Sequence, residues 1–124
     1  MVANVAPSTA QQVQRQPTTH DLVWRETAAL AAGLARQWKI TKTEVYRRLV
    51  DMALRGEIPA PEGSAWITPP SSSSLREKML KSTAKAVEDI VAVWLPEHPT
   101  ASKIQVMHYL VSRAHKEQIA PPPG

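Results

Sequence analysis

The stretch WKITKTEVYRRLV, residues 38–50, decides how the chain is interpreted, because it joins an apolar helix end to a basic helix start. Thr41 and Glu44 have the three-residue spacing of a capping box, which opens a helix. Val45 and Leu49 lie one turn apart and predict a buried side for that helix. The residues between these two apolar positions are Tyr46, Arg47 and Arg48. These three side chains are either a solvated surface or a recognition surface.

Working outward, residues 31–50, AAGLARQWKITKTEVYRRLV, have the pattern of a helix-turn-helix. Ala35 is the small residue needed where two helices cross, Ile40 is the buried turn residue, and Val45 and Leu49 form the inner face. Between residues 36 and 48 there are five basic residues and one acid. Such donors suit phosphates and base edges. The predicted DNA-binding residues are Arg36, Lys39, Thr41, Lys42, Thr43, Tyr46, Arg47 and Arg48, with Arg36, Lys39 and Arg48 on phosphates and Thr43, Tyr46 and Arg47 at base edges.

The segment ITKTEVYRRL resembles the turn and recognition helix of bacterial helix-turn-helix proteins, including the small domains of DNA invertases and resolvases and many repressors. Lys39 departs from that family, which usually has glycine at the turn. In size and arrangement the chain is also similar to small plasmid-borne DNA-binding stability proteins of the StbA type. That resemblance implies binding to repeated sites near the protein's own operon, with repression of the operon and a role in plasmid partition.

The segment TKTEVYRRLV also looks like the second helix of ribbon-helix-helix proteins, whose DNA-contacting strand precedes the first helix. The corresponding segment here is PTTHDLVW, residues 17–24. It is short and alternates weakly, so it does not predict a strand. In this alternative the protein still binds DNA, but through other residues.

Periodicity and composition predict an all-α fold, a helix-turn-helix domain followed by a smaller helical unit that is a candidate tandem repeat of the first. Leu30, Leu34 and Trp38 mark one face of the first helix. SLRE, residues 74–77, has the spacing of a second capping box and predicts the start of a third helix. The predicted segments are a disordered arm 1–18, a helix-turn-helix domain 19–58, a Pro/Ser-rich linker 59–73, a C-terminal helical unit 74–120 and a tail 121–124.

The two halves of the sequence match each other. At an offset of 61, TKTEVYRRLVDMALRGEI (41–58) falls on SKIQVMHYLVSRAHKEQI (102–119) with six identities. At an offset of 56, Thr27, Ala28 and Trp38 fall on Thr83, Ala84 and Trp94. A duplication and the similarity common to any two amphipathic helices both explain this match, and the two interpretations stay open.

A duplication would give the second half its own DNA-contacting residues. Basic residues follow one another along the third helix, and the fourth helix offers polar side chains near its start. The candidate second DNA-binding set is Lys78, Lys81, Lys85, Ser102, Lys103, Gln105, His108 and Tyr109. The competing interpretation makes this half a dimerisation or partner-binding bundle.

Length, net charge and cysteine content limit the classes of function that this chain can have. The chain has 124 residues, a net charge of +4 and no cysteine, with a pI near 9.7. A basic balance suits a polyanionic partner, and the absence of thiols excludes a disulfide framework and thiolate metal sites. No run approaches the roughly 18 apolar residues of a membrane span. The four histidines lack metal-ligand spacing and no glycine-rich phosphate loop is present, so we expect no enzyme, no metal and no cofactor.

The sequence therefore predicts a cytoplasmic, nucleoid- or plasmid-associated protein that binds double-stranded DNA, with no membrane or small-molecule partner. It would act as a transcriptional repressor or a plasmid stability factor by occupying operator or repeat sites, as a monomer on a bipartite site or as a homodimer. The alternative is a helical protein-interaction module, an adaptor or inhibitor, whose basic face meets an acidic protein.

Overall fold

The computed structural model describes residues 16–62, 73–99 and 101–117. Along the chain the elements are β1 (Thr18–Trp24), α1 (Arg25–Trp38), α2 (Lys42–Leu54), β2 (Ser74–Leu80), α3 (Lys81–Trp94) and α4 (Lys103–Lys116). The predicted arm up to residue 15, most of the predicted linker and the predicted tail lie outside the described residues.

The all-α prediction is wrong, because two seven-residue segments form an antiparallel sheet. The fold is mixed, with four helices packed against a two-stranded ribbon. SLRE does not open a helix: it lies inside β2, and the helix begins at Lys81. Neither strand is convincing by itself, because a strand's hydrogen-bonding partner lies elsewhere in the chain, whereas a helix is stabilised by neighbours within four residues.

The ribbon joins the two halves of the chain. Its register pairs Thr18 with Leu80 and Trp24 with Ser74, and Asp21 pairs with Glu77 at its centre. Backbone bonds extend the match beyond the strands, since Arg25 N–H donates to the Ser73 carbonyl at 2.9 Å and Lys81 N–H to the Pro17 carbonyl at 3.0 Å. The halves thus share one sheet.

The order strand, helix, helix occurs twice. β1 and α1 recur as β2 and α3 at an offset of 56, and the start of α2 recurs at α4 at an offset of 61. The change in offset comes from the turns: residues 39–41 separate α1 from α2, whereas residues 95–102 separate α3 from α4. Asp21 and Glu77 are repeat counterparts and also cross-strand partners. An approximate two-fold axis therefore passes through this pair.

Helix ends follow local chemistry. The Lys39 N–H closes α1 on the Ala35 carbonyl with Lys39 in the left-handed conformation at φ 60°, so a lysine takes the role usual for glycine. Thr41 caps α2 by accepting from the Glu44 N–H at 3.1 Å, as predicted. Ser102 caps α4 in the same way through the Gln105 N–H at 3.4 Å.

One apolar core lies between the helices and the inner face of the ribbon. Trp38 and Trp94 are both buried in it, and Val23 and Met79 enter it from the two strands. Because side chains alternate across a strand, residues 19, 21 and 23 face the core together with residues 75, 77 and 79. Two carboxylates, on Asp21 and Glu77, are therefore directed inward.

Crossed ion pairs neutralise these acids. Lys42 at the start of α2 lies 2.9 Å from Glu77, and Lys103 at the start of α4 lies 2.7 Å from Asp21. Each half thus supplies the lysine for the other half's strand. The hydroxyl of Tyr46, a fully buried residue, donates to Glu77 at 2.8 Å. Burial raises the pKa of Tyr46, and the Glu77 carboxylate raises it further.

Tyr46→Phe should lower the free energy of unfolding by about 1.5–3 kcal/mol, because it removes a buried hydrogen bond to a charged group. Urea unfolding measures the loss. Tyr109→Phe is the control. Its half-buried hydroxyl donates to the Pro59 carbonyl at 3.4 Å and accepts from Arg113 at 2.7 Å, but Arg113 is 33% exposed and also bonds to Glu117, so this loss should stay below about 1 kcal/mol. Equal losses would show that the Tyr46 hydroxyl contributes nothing special.

A buried histidine links α4 to the end of the ribbon. His108 Nδ1 lies 2.7 Å from the Thr27 hydroxyl, and its ring meets Trp24 edge-on at 5.1 Å between centroids. Burial lowers the pKa of His108, partly offset by the negative charge of Glu26. The folded state therefore holds this imidazole neutral at a pH where the unfolded chain would protonate it.

Acid should consequently destabilise the fold below about pH 6.5, the pKa of an unperturbed histidine. In that range the unfolded state binds a proton that the folded state does not, so stability falls by at most about 1.4 kcal/mol per pH unit until the folded pKa is reached. Urea midpoints at pH 7.5 and 5.2 test this. His108→Gln should flatten the dependence and His115→Gln, at an exposed position, should not; an unchanged slope in His108→Gln would contradict it.

Candidate nucleic-acid interface

The middle of the outward face of the ribbon is exposed, whereas Leu80 at one end is buried and Trp24 at the other is half-buried. This face carries no carboxylate. Residues of even number alternate onto this face, opposite the core-facing set. Leu22 is 45% exposed there, an unusual position for a large apolar side chain. The exposed outward residues are His20, Leu22, Ser74, Arg76 and Lys78.

The positive charges on this face have no acidic partner in the part of the chain that the structure describes. Neither Arg76 nor Lys78 has an ion pair or hydrogen-bonded acid among the described residues. The acids of the ribbon, Asp21 and Glu77, are on the opposite face and are neutralised by Lys103 and Lys42. The ribbon is thus sorted by charge, with acids inward and cations outward.

Two helix N-termini flank the ribbon. The α2 start lies beside β2, where the Thr43 hydroxyl donates to the Lys78 carbonyl at 3.4 Å. The α4 start lies beside β1 through the Lys103 contact with Asp21. A helix N-terminus has unpaired N–H groups and a partial positive charge, both of which favour anions such as phosphate.

The predicted recognition helix, α2, is engaged inside the protein. It packs against β2, α3 and α4 as well as α1. Tyr46 is fully buried, so its hydroxyl is not presented to a base edge. Lys42 and Thr43 are turned to the ribbon by their contacts with Glu77 and Lys78. Arg36, Lys39 and Thr41 are exposed.

The adjacent arginines hold a buried carboxylate. Arg47 and Arg48 both bond to Glu44, and Arg47 also reaches Asp51 at 3.0 Å. Burial alone would raise the pKa of Glu44, but the hydrogen bonds and charges of the two arginines together hold that pKa below its ordinary value. Bonded in this way, the Arg47 guanidinium supports the fold of α2.

The second predicted set is scattered. Of its members, Lys78 lies on the outward ribbon face and Lys81 is exposed at the start of α3. Lys85 pairs with Asp89 at 2.6 Å and Lys103 with Asp21. Ser102 caps α4 and bonds to Gln105, and His108 is buried. Tyr109 bonds to the Pro59 carbonyl and to Arg113.

Of the outward ribbon residues, the sequence-based prediction of DNA-binding residues included only Lys78. A signal existed in the repeat, because the offset of 56 extends backward to set TTHDLVW against SLREKML. Thr18 then meets Ser74 and Asp21 meets Glu77, while Val23 meets Met79. Similar residues at these positions, followed by equivalent helices, could have identified two copies of one strand.

A cleft of about 290 Å³ lies along the outer edge of β1, between the strand and α3. Lys81, Lys85 and Lys103 line it, but so do Asp21 and Glu88. Because Lys103 contacts both acids, at 2.7 and 3.8 Å, the cleft is of mixed charge. It is a weaker anion site than the ribbon face.

The described part of the chain also lacks a cluster of metal-binding side chains and a membrane-spanning helix. Within those ranges, no group of three or more histidine, aspartate or glutamate side chains could hold a metal ion. None of the described helices is long and apolar enough to cross a membrane.

Arg47→Ala should lower the free energy of unfolding by about 1–3 kcal/mol, because it strips a largely buried carboxylate of one cation. Urea unfolding would measure this. The control is Arg55→Ala, which removes an exposed pair with Glu57 and should change stability by less than about 1 kcal/mol. A fully stable Arg47→Ala protein would mean that the guanidinium is available for a ligand, as the sequence suggested.

No protein-family model, curated protein or solved structure matches this chain. The function is therefore inferred from the ribbon, its flanking helices and their charges.

Proposed function

We propose that this protein binds double-stranded DNA sequence-specifically by placing the outward face of its ribbon in the major groove. The observation that carries the proposal is the charge sorting of the ribbon. Arg76 and Lys78 face outward without acidic partners in the described chain, while Asp21 and Glu77 face inward. The DNA-contacting surface moves from the predicted helix to the strands.

The dimensions of the ribbon support this. Strands in a sheet lie about 4.8 Å apart, and the major groove, about 12 Å wide, admits a two-stranded ribbon. Arginine and lysine bond to the guanine O6 and N7 atoms, and apolar side chains contact the thymine methyl group. The face presents side chains of both types.

The flanking helices support it as well. The N-termini of α2 and α4 begin beside β2 and β1 respectively. With the ribbon in the groove, their N–H groups and partial positive charge would meet the phosphates on either side. Phosphate contacts would set the position of the protein, and base contacts by the ribbon would set its specificity.

The biological effect would be occupancy of a site. A protein bound at an operator blocks a promoter, and one bound at repeated sites marks a plasmid for segregation. The resemblance to StbA-type stability proteins in size and arrangement would imply these two roles, and an association with the nucleoid or a plasmid would follow from them. Since one chain supplies both strands of the ribbon, the contact surface does not require a homodimer.

The double variant Arg76→Ala/Lys78→Ala should weaken binding to a selected duplex by about 2–6 kcal/mol, since each good base contact is worth about 1–3 kcal/mol. Fluorescence anisotropy with a labelled duplex measures the loss. Binding should also fall on the order of 10³-fold between 50 and 200 mM salt if about six phosphates are contacted.

Two controls isolate the ribbon. Lys116→Ala removes an exposed cation at the end of α4 and should leave affinity for the selected duplex nearly unchanged. Arg47→Ala should lower stability but keep the sequence preference. Equal DNA binding by the Arg76→Ala/Lys78→Ala variant would sink the proposal, and a mild salt slope without competition by duplex would favour an acidic protein partner instead.

A further inference from the structure

The ribbon is symmetric in backbone and asymmetric in chemistry. The approximate two-fold axis through Asp21 and Glu77 exchanges His20 with Arg76 and Leu22 with Lys78. Neither exchange brings together side chains of the same kind. A dimer of identical chains would present the same residues twice, whereas this chain presents two different sets.

Each end of the outward face has its own composition. Across the strands, His20 pairs with Lys78 on one side of the axis and Leu22 pairs with Arg76 on the other. One end therefore offers an imidazole and an ammonium group. The other offers a guanidinium beside an apolar side chain that is 45% exposed.

The two ends favour different bases. A guanidinium makes two parallel bonds to guanine O6 and N7, and an apolar side chain contacts the methyl group of thymine. An ammonium group is a point donor on a flexible stem, and it fixes base geometry less strictly. The two ends of the ribbon would thus prefer different bases in the two halves of a DNA site.

The core beneath the ribbon is asymmetric too. On one side of the axis the Glu77 carboxylate accepts from Tyr46, whereas the repeat counterpart of Tyr46 is Met107, which cannot donate. Thr27 bonds to His108, but no described group bonds to its counterpart, the buried Thr83 hydroxyl. The halves have diverged inside as well as outside.

We propose that a single chain recognises a non-palindromic DNA site, with guanine and thymine in the half-site that meets Arg76 and Leu22 and a different sequence in the half-site that meets His20 and Lys78. This inference rests on the proposed DNA-binding function and deepens it. One chain would occupy one site in one orientation, so the bound protein would have a direction on the DNA.

The test is selection of bound sequences from a random duplex library by the full chain and by His20→Arg/Leu22→Lys. This double variant gives positions 20 and 22 of β1 the residues found at positions 76 and 78 of β2, so the four central outward positions become equivalent across the axis. The wild-type motif should lack inverted-repeat symmetry, and the variant motif should become an inverted repeat. The complex of wild-type protein with its motif should contain one chain per duplex by analytical ultracentrifugation.

A control variant separates the effect of ribbon symmetry on the selected motif from the effect of added positive charge. Gln37→Arg/Val93→Lys makes the same types of addition at exposed positions near the ends of α1 and α3, away from the ribbon. It should keep the asymmetric motif and raise only the overall affinity. Arg76→Ala should remove the guanine preference and Leu22→Ala the thymine preference, both in the same half-site.

The outcomes distinguish the two levels of inference. An inverted-repeat motif selected by the wild-type chain, or a motif unchanged in His20→Arg/Leu22→Lys, overturns the directional site and leaves DNA binding intact. No enriched motif with any protein overturns the proposed function itself. An asymmetric wild-type motif that becomes symmetric in the variant supports both.

Discussion

The pairing of β1 with β2 is the constraint on which the rest of the structure depends. A two-stranded ribbon is at best marginally stable in water, so its inner face must be covered by helices. The register sets Asp21 opposite Glu77, and like charges in that arrangement destabilise a sheet. Lys42 and Lys103 offset this, each from the half of the chain that does not contain its partner. Neither half is complete without the other.

This constraint also explains why the basic helix is not the outward surface. Because α2 covers the ribbon and packs on α3 and α4, Tyr46 is directed to Glu77 and the adjacent arginines to Glu44. With the ribbon's acids directed inward, its cations are left on the solvent face. The same register that creates an electrostatic cost in the core creates a basic surface outside it.

Local chemistry was predictable. Thr41 caps α2 as the TKTE pattern indicated, and the offsets of 56 and 61 are those at which the elements recur. Tyr46 was not predictable from α2 alone, since it lies beside Val45 at the edge of the apolar stripe and is buried only because the ribbon adds a second covered face. PTTHDLVW and SLREKML were not recognised as strands, because their alternation is broken by Asp21 and Glu77, which are polar but inward.

The sequence by itself determined most of the helical segments, the Thr41 cap, the tandem pattern and the excess of positive charge, because these depend on residues within a few positions or on composition; the predicted SLRE cap was wrong because that segment is a strand. Only the tertiary structure decided that residues 18–24 and 74–80 are strands, which side of each faces solvent, and that Arg47 is bonded to acids whereas Arg76 and Lys78 have no acidic partner in the described part of the chain. The physical reason is that strand pairing joins residues 50 to 62 positions apart in the chain. Whether a cation is free or bound depends on acids that such pairing brings near it.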